Sequence, residues 1–301
     1  MKKVLIFRDR WEVGGHFREK TLATYLQKKL SPEIEVITSD LVDTVLEIET
    51  DKVRAEINQQ PITDFDLVWF RRTSKGFAFF AKAIAAVLDT LEIKYFDSAW
   101  GKNKIVNKLP EMVFLAQAGV PIPPTFFCWR TKILEQRQKI VKFLGLPLVA
   151  KDIFEDKGRG VFLLKKPEDF ENLVGQSGKD NHFIFQKFCP NDGDYRILVL
   201  DGKIASWEKR TRQTEEFRNN VALGAKEEFF PLEKIPQEFK VVAEKAAKVV
   251  NLEIAGVDLL EEKETGKIWI LEVNRSPVFT EDVNVSPEIP AIASFLKKQL
   301  A

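Results

Sequence analysis

The sequence predicts an α/β protein of two or three lobes, and three observations carry that reading. At 301 residues the chain can bury a substantial core, and the length suits two or three lobes better than one compact domain. Strand and helix signals alternate through the first hundred residues, as in a small doubly wound α/β lobe. Near residue 120 the proline-rich VPIPPTFF punctuates the chain, and hairpin-like strand pairs come after it.

Residues 3–7 (KVLIF) read as the first strand and 16–30 as an amphipathic helix ended by Ser31-Pro32. Strands over 33–38 (EIEVIT) and 66–71 (DLVWFR) follow, and residues 41–60, carrying TVLEIE and KVRAEI, alternate as a surface hairpin does. A helix over 77–90 and a strand over 93–97 complete the lobe. Gly14-Gly15 lies between the first strand and its helix, where backbone N–H groups could meet an anion, and a plain tight turn explains the pair as well. A helix is expected from about 103 to 118, ended by Gly119. Next come a helix (132–144), a strand (147–151, PLVAK), the glycine-containing loop EDKGRG (155–160) and a strand (161–165). FIFQKF (183–188) is strand-like, and YRILVL (195–200) and KIASWE (203–208) form a hairpin across Asp201-Gly202. A helix over 236–251 precedes two strands, 254–260 (IAGVDLL) and 267–273 (KIWILEV), on either side of the charged turn EEKETG.

Composition excludes several classes of function. Lys and Arg number 46 against 45 Asp and Glu, so no overall basic excess points to nucleic acid, although local patches stay open. Apolar runs such as FAFFAKAIAAVL (77–88) are too short and interrupted to span a bilayer, and the N-terminus turns charged again at Arg8, short of a signal peptide. A cytoplasmic chain with no membrane partner is expected. Cys128 and Cys189 offer neither metal spacing nor a disulfide framework, and each fits a buried apolar residue. With His16 and His182 the only histidines, a His-rich metal site is excluded. Chemistry must rest on Lys, Arg, Asp, Glu, Asn and bound ions.

The segment IWILEVNRSP (268–277) would make a buried strand, yet it carries Glu272 and Asn274 near its end. Two residues apart on a strand, they point to one face. Burying a lone carboxylate is expensive, and a hard cation with oxygen ligands is one compensation; a strand end fraying into solvent is the other. Asp258, in the apolar AGVDLL, would join them across a hairpin, and such a set of oxygens suits Mg²⁺ completed by water and phosphate. Positive groups should face the same place. Lys151 ends an apolar strand before the EDKGRG loop, and Lys108 and Arg218 are further candidates, Arg218 with Asn219-Asn220 as a polar clamp. Taken singly, each also fits a solvated surface residue.

In their order along the chain, NKLPEMVFLAQAGVPIPPT, PLVAKDIFEDKGRGV, IFQKF followed by GDYR, EFRNN, AGVDLL and ILEVNRSP resemble the motifs of ATP-grasp enzymes. Within that superfamily the chain is similar to the ribosomal protein S6 glutamate-ligase group from about Asn107 to Pro277. The resemblance implies an ATP-grasp fold with an N-terminal doubly wound α/β domain over 1–105, a central lobe over 106–186 and a C-terminal lobe over 187–301. It implies that Lys108 and Lys151 contact ATP phosphates and that Gln186, Lys187 and Phe188 border the nucleotide, Lys187 and Phe188 largely through their backbone. Asp194 fits an acidic position beside the nucleotide, with Arg196 following at the usual spacing. Arg218, Asn219 and Asn220 match the phosphate and metal loop, with Arg218 and Lys151 as the catalytic cations. Asp258, Glu272 and Asn274 match the ligands of Mg²⁺, with Mn²⁺ as the alternative ion. Lys187 stands where Glu is common, and Ala225 and Val278 replace glycines that border the acceptor side.

LVWFRR (67–72) resembles a Trp-aromatic-Arg-Arg sequence of ATP-grasp enzymes that crosslink ribosomally made peptides, and a buried strand ending in two solvated arginines explains it equally well. The activity implied is a Mg-ATP-dependent carboxylate-amine ligase working through an acylphosphate on a peptide, protein or amino-acid substrate. A macrocyclase forming ester or amide crosslinks in a precursor peptide is the closest alternative. A small-molecule kinase or a nucleotide-binding regulatory protein is the rival from another class. The close group often assembles as dimers or tetramers, so a homo-oligomer stays open.

Overall fold

The computed structural model describes residues 1–8, 16–71, 73, 77–102, 107–155, 160–212 and 225–301, with the side chains of 16–21 outside that description. In the N-terminal part β1 (Lys2–Arg8), α1 (His16–Leu30), β2 (Ile34–Asp40), the strands β3 (Thr44–Glu49), β4 (Lys52–Ile57) and β5 (Gln60–Pro61), β6 (Leu67–Phe70), α2 (Ala78–Thr90) and β7 (Lys94–Phe96) follow one another. A parallel sheet of order β2-β1-β6-β7 results, while β3, β4 and β5 make a separate antiparallel sheet. Alternation assigns the faces. Leu5, Phe7, Val68 and Phe70 pack under α2 and the β4 hairpin strand, whereas Val4, Ile6, Leu67 and Trp69 pack under α1. Both faces are covered, which is why these strands read as continuous apolar runs.

The middle of the chain holds α3 (Lys108–Gln117), β8 (Thr125–Phe127), α4 (Ile133–Leu144), β9 (Leu148–Asp152), β10 (Val161–Leu164), α5 (Asp169–Gln176) and β11 (Phe183–Lys187). The antiparallel sheet β10-β9-β11-β8 packs its Leu148, Ala150, Phe183 and Phe185 against α4 and α5. The helix expected from about 103 begins instead at Lys108, because the Asn107 side chain accepts the N–H of Leu109 at 3.2 Å and caps it.

Then come β12 (Asp194–Leu200), β13 (Lys203–Thr211), β14 (Lys226–Phe229), α6 (Gln237–Val250), β15 (Ile254–Glu261), β16 (Ile268–Asn274) and α7 (Glu288–Leu300). Sheet order is β14-β13-β12-β15-β16, antiparallel throughout. Ile197, Val199, Val257 and Leu259 face α6, whose Ala243, Ala246 and Ala247 let it sit close, and α3 adds Met112 and Leu115 to the same core. On the other face Leu198, Leu200 and Ile254 pack with α7 against the N-terminal sheet. Further along that face the side chains turn from apolar to charged. No helix among the described residues is long and apolar enough to cross a membrane.

Candidate active site

Cross-strand register builds the charged end of the sheet. Glu208 on β13 stands opposite Arg196 on β12, Arg196 opposite Asp258 on β15, and Asp258 opposite Glu272 on β16, so four charged residues form one row on one face. Gly256 pairs with Asn274 in the next row of that face. β16 reaches this arrangement through a bulge: Asp258 pairs with Glu272 but Leu259 with Ile270. The extra residue lets Ile270 stay in the apolar core while Glu272, two positions on, turns to the opposite face. The core positions of this strand accordingly run 268, 270 and then 273.

Asp258 is the centre of the cluster. Arg196 donates to it through Nε and Nη2, both at 2.8 Å, Arg210 approaches at 3.1 Å, and Asn274 donates through Nδ2 at 3.1 Å. Burial alone would raise its pKa, but Arg196 and then Arg210 outweigh that and hold the carboxyl below the ordinary carboxylate range. Asp194 is buried and accepts from Arg210 Nε at 2.7 Å. Arg210 therefore bridges two aspartates, a role that no sequence motif announced.

From the sheet β10-β9-β11-β8, Lys151 on β9 points to the same region and is half-buried. Burial lowers the pKa of its ammonium, and Glu272 is the strongest charge opposing that shift. Lys108 donates to the backbone carbonyl of Glu155, at the start of the glycine-containing loop. One turn along α3 from Lys108, Glu111 is buried and its Oε1 accepts the Val273 N–H at 2.8 Å. Burial, and then the charge of Glu272, push Glu111 up to about 8, so it is largely protonated at neutral pH. Sequence reasoning missed Glu111; its place three residues after Lys108, on the same helix face, was the available signal.

Gln186 is buried, donates to Thr125 Oγ1 at 2.9 Å, and leaves its amide oxygen with no hydrogen-bond partner. Beside it the Lys187 ammonium pairs with Glu262 at 2.7 Å, the Lys187 N–H donates to the Pro124 carbonyl at 3.0 Å, and Phe188 is half-buried. Arg218, Asn219 and Asn220 lie outside the described residues, as do Gly14, Gly15 and Arg72. The reading of LVWFRR as ending in two solvated arginines is corrected at Arg71, which is 2 % exposed. Arg71 donates to the Pro277 carbonyl at 2.6 Å, its guanidinium lies 4.5 Å from the centre of the Phe279 ring, and its own carbonyl accepts from Ser276 Oγ at 2.5 Å. Pro277 in turn rests on Gly256, where a Cβ would come within 2.6 Å of the proline.

These residues fit a Mg-nucleotide. Among the described residues no group of three or more His, Cys, Asp and Glu is gathered for a metal. The available donors at the sheet end are two carboxylates and an amide, a set that leaves coordination places for phosphate oxygens and water. The unsatisfied Gln186 oxygen is a buried acceptor where a donor such as an exocyclic amine would restore a lost hydrogen bond.

A family profile described as "RimK-like ATP-grasp domain" matches residues 105–292. A protein named "Probable alpha-L-glutamate ligase" from Halorhodospira halophila is 29% identical over 259 residues, covering 85% of this chain and 80% of that one. Among solved structures, the ATP-grasp ligase PsnB complexed with a phosphomimetic variant of its minimal precursor, Mg and ADP superposes with a TM-score of 0.73 at 18% identity, covering 99% of this chain and 98% of that one. The macrocyclase MdnC from Microcystis aeruginosa, bound with precursor peptide MdnA, gives a TM-score of 0.68 at 16% identity, covering 98% of this chain and 99% of that one.

Proposed function

We propose, from the premise that the chain belongs to the RimK-like ATP-grasp family and is an ATP-dependent ligase, that it joins a carboxylate to an amine through an acylphosphate, with a peptide, protein or amino acid as substrate. The observation that carries this reading is the meeting of Asp258, Asn274 and Glu272 with Lys151, which comes from a different lobe. Mg-ATP supplies the phosphoryl group. Asp258, Glu272 and Asn274 hold the cation, with Mn²⁺ as the alternative ion, while Lys151, Lys108 and Arg218 place fixed positive charge where negative charge accumulates. The chain itself supplies no thiolate nucleophile: burial pushes Cys189 up to about 11 and raises Cys128 as well. A phosphorylated substrate held away from water, then attacked by an amine, is the chemistry this set supports.

Likeness in fold along nearly the whole chain to PsnB and MdnC favours a second reading, a macrocyclase acting on a precursor peptide. Hydroxylamine tests the shared step. Incubated with Mg-ATP and its carboxylate substrate, a ligase of either kind yields a hydroxamate, because hydroxylamine intercepts the activated acyl group. A kinase that phosphorylates a hydroxyl gives an ester that hydroxylamine leaves alone, and a stable phosphate adduct without hydroxamate overturns the ligase reading. Loss of water within a single peptide selects the macrocyclase.

A further inference from the structure

The charged row extends past the metal-binding residues to Glu208. This side chain is 2 % exposed, and its Oε2 has no hydrogen-bond partner. Burial, and then the charges of Glu288 and Glu227, push its carboxyl up to about 9. Those two neighbours come from separate elements. Glu288 opens α7, is itself buried, and accepts from the Thr280 N–H at 2.8 Å and from Ser286 Oγ at 3.0 Å. Glu227 stands on β14 opposite Arg210, is half-buried, and accepts from Thr280 Oγ1 at 3.0 Å. Glu288 and Glu227 thus each help to hold the 276–287 loop, but Glu208 makes no such contact through Oε2. Arg196 and Arg210 reduce the negative charge here, yet their hydrogen bonds go to Asp258 and Asp194. A carboxyl oxygen kept from water with no donor calls for an explanation, and a ligand that brings N–H groups supplies one.

We propose that Glu208, Glu227 and Glu288 form the subsite for the ammonium group of the amine acceptor. The proposal rests on the ligase reading and adds the chemistry of its second substrate. An ammonium carries three N–H donors in a small volume, which suits three carboxyls converging from a strand, an edge strand and a helix start. Two strand spacings along the row, roughly 10 Å, separate Glu208 from Asp258, a gap that leaves room for the activated carboxyl to lie between the residues that would hold the cation and an amine kept at Glu208 for the attack. The half-exposed Glu227 marks the open side.

Binding to the full chain in the presence of Mg²⁺ and ADP tests the subsite, read by calorimetry or ligand-observed NMR. The probes are N-acetyl-L-lysine amide, which mimics an amine on a peptide, L-glutamate, which brings the α-ammonium of a free amino acid, and N-acetyl-L-norleucine amide, which has no charge. At least one ammonium probe binds and the norleucine amide does not, and which of the two binds identifies the source of the amine. Glu208→Gln and Glu227→Gln each weaken that binding about tenfold or more while leaving ADP affinity unchanged. Should Glu208→Gln fail to fold, the half-exposed Glu227 still provides the comparison. The proposal is overturned if neither ammonium probe binds, if the norleucine amide binds as well as they do, or if the folded variants keep wild-type affinity. Hydroxamate formation needs no acceptor amine, so failure of the ligase reading shows there and is separable from failure of this subsite.

Discussion

Arg196 grips Asp258 with two parallel hydrogen bonds, Nε to Oδ1 and Nη2 to Oδ2, each 2.8 Å long. A planar fork of this kind fixes both the charge and the tilt of the carboxylate, which a lysine cannot do. Arg196→Lys should therefore leave the protein folded but lower ATP turnover about tenfold or more. Its distinguishing mark is a raised Mg²⁺ requirement, measured as ADP release against Mg²⁺ concentration. An unchanged Mg²⁺ curve would show that the fork has no part in positioning the ligand.

Glu272→Ala should abolish ATP turnover and leave the melting temperature near that of the wild type. The side chain is half-buried at the sheet end and fills no core volume, so the substitution removes the proposed metal ligand with little loss of packing. A folded variant with normal turnover would remove Glu272 from the metal site.

Lys151→Ala and Arg218→Ala should each reduce turnover by about 10²-fold or more if, as proposed, each places fixed charge at the transferring phosphoryl group. Steady-state ADP release with saturating carboxylate substrate measures both. Near-normal rates in the two variants would place the phosphates elsewhere.

Glu111 provides a pH test. Its folded pKa, about 8, lies above the ordinary value of 4.5, so between those limits the folded state holds a proton that the unfolded state has lost. Raising the pH through that window weakens folding by this group's share, on the order of a few kcal/mol at most. Glu111→Gln cannot titrate and keeps an oxygen for the Val273 N–H. In Mg²⁺-free buffer the stability of the variant relative to wild type should thus rise from about pH 5 to about pH 8 in urea unfolding curves. A flat difference would mean that Glu111 is ionised in the folded protein.

Arg71→Ala should cost roughly 2–3 kcal/mol of stability, because it strips a buried donor from the Pro277 carbonyl and leaves a gap beside Phe279. Thermal or urea unfolding reads this loss. If the variant unfolds like wild type but loses affinity for a peptide substrate, Arg71 is a docking residue and not a structural one.

Much of the fold was legible because its signals are local. The N-terminal strands, covered on both faces, announce themselves as apolar runs, and α1 spans 16–30, the range its periodicity predicts. Unanticipated were β5, β8, β14, α5 and α7. β8 has only three residues, and α7 carries Pro290 in its first turn, which reads as punctuation although proline is tolerated there. Glu272 and Asn274 were legible as a pair because the bulge of β16 falls before them and leaves their spacing intact.

The rest of the site was hidden by register. Across the two-residue turn at Asp201-Gly202, Leu200 pairs with Lys203, and simple counting from there sets Arg196 against Trp207 and Asp194 against Lys209. An irregularity at Leu198/Val199 shifts the partners by one, to Glu208 and Arg210. No residue type in that stretch signals the shift. Glu111 was hidden for another reason, since only the packing of α3 on the edge of β16 brings it to Val273.

The row Glu208, Arg196, Asp258, Glu272 lies on the reverse of the surface that α6 covers, and this couples chemistry to assembly. Were β12 to settle one residue out of step, Arg196 would be driven beneath α6 and Ile197 would rise among the acids. Each misplaced charge would meet hydrocarbon, and each misplaced hydrocarbon would meet charge, so the slipped pairing would be strongly disfavoured against the native one. The charged row thus acts as a checksum on the sheet: a chain that gathers Glu208, Arg196, Asp258 and Glu272 on one face has, by that fact, been correctly threaded.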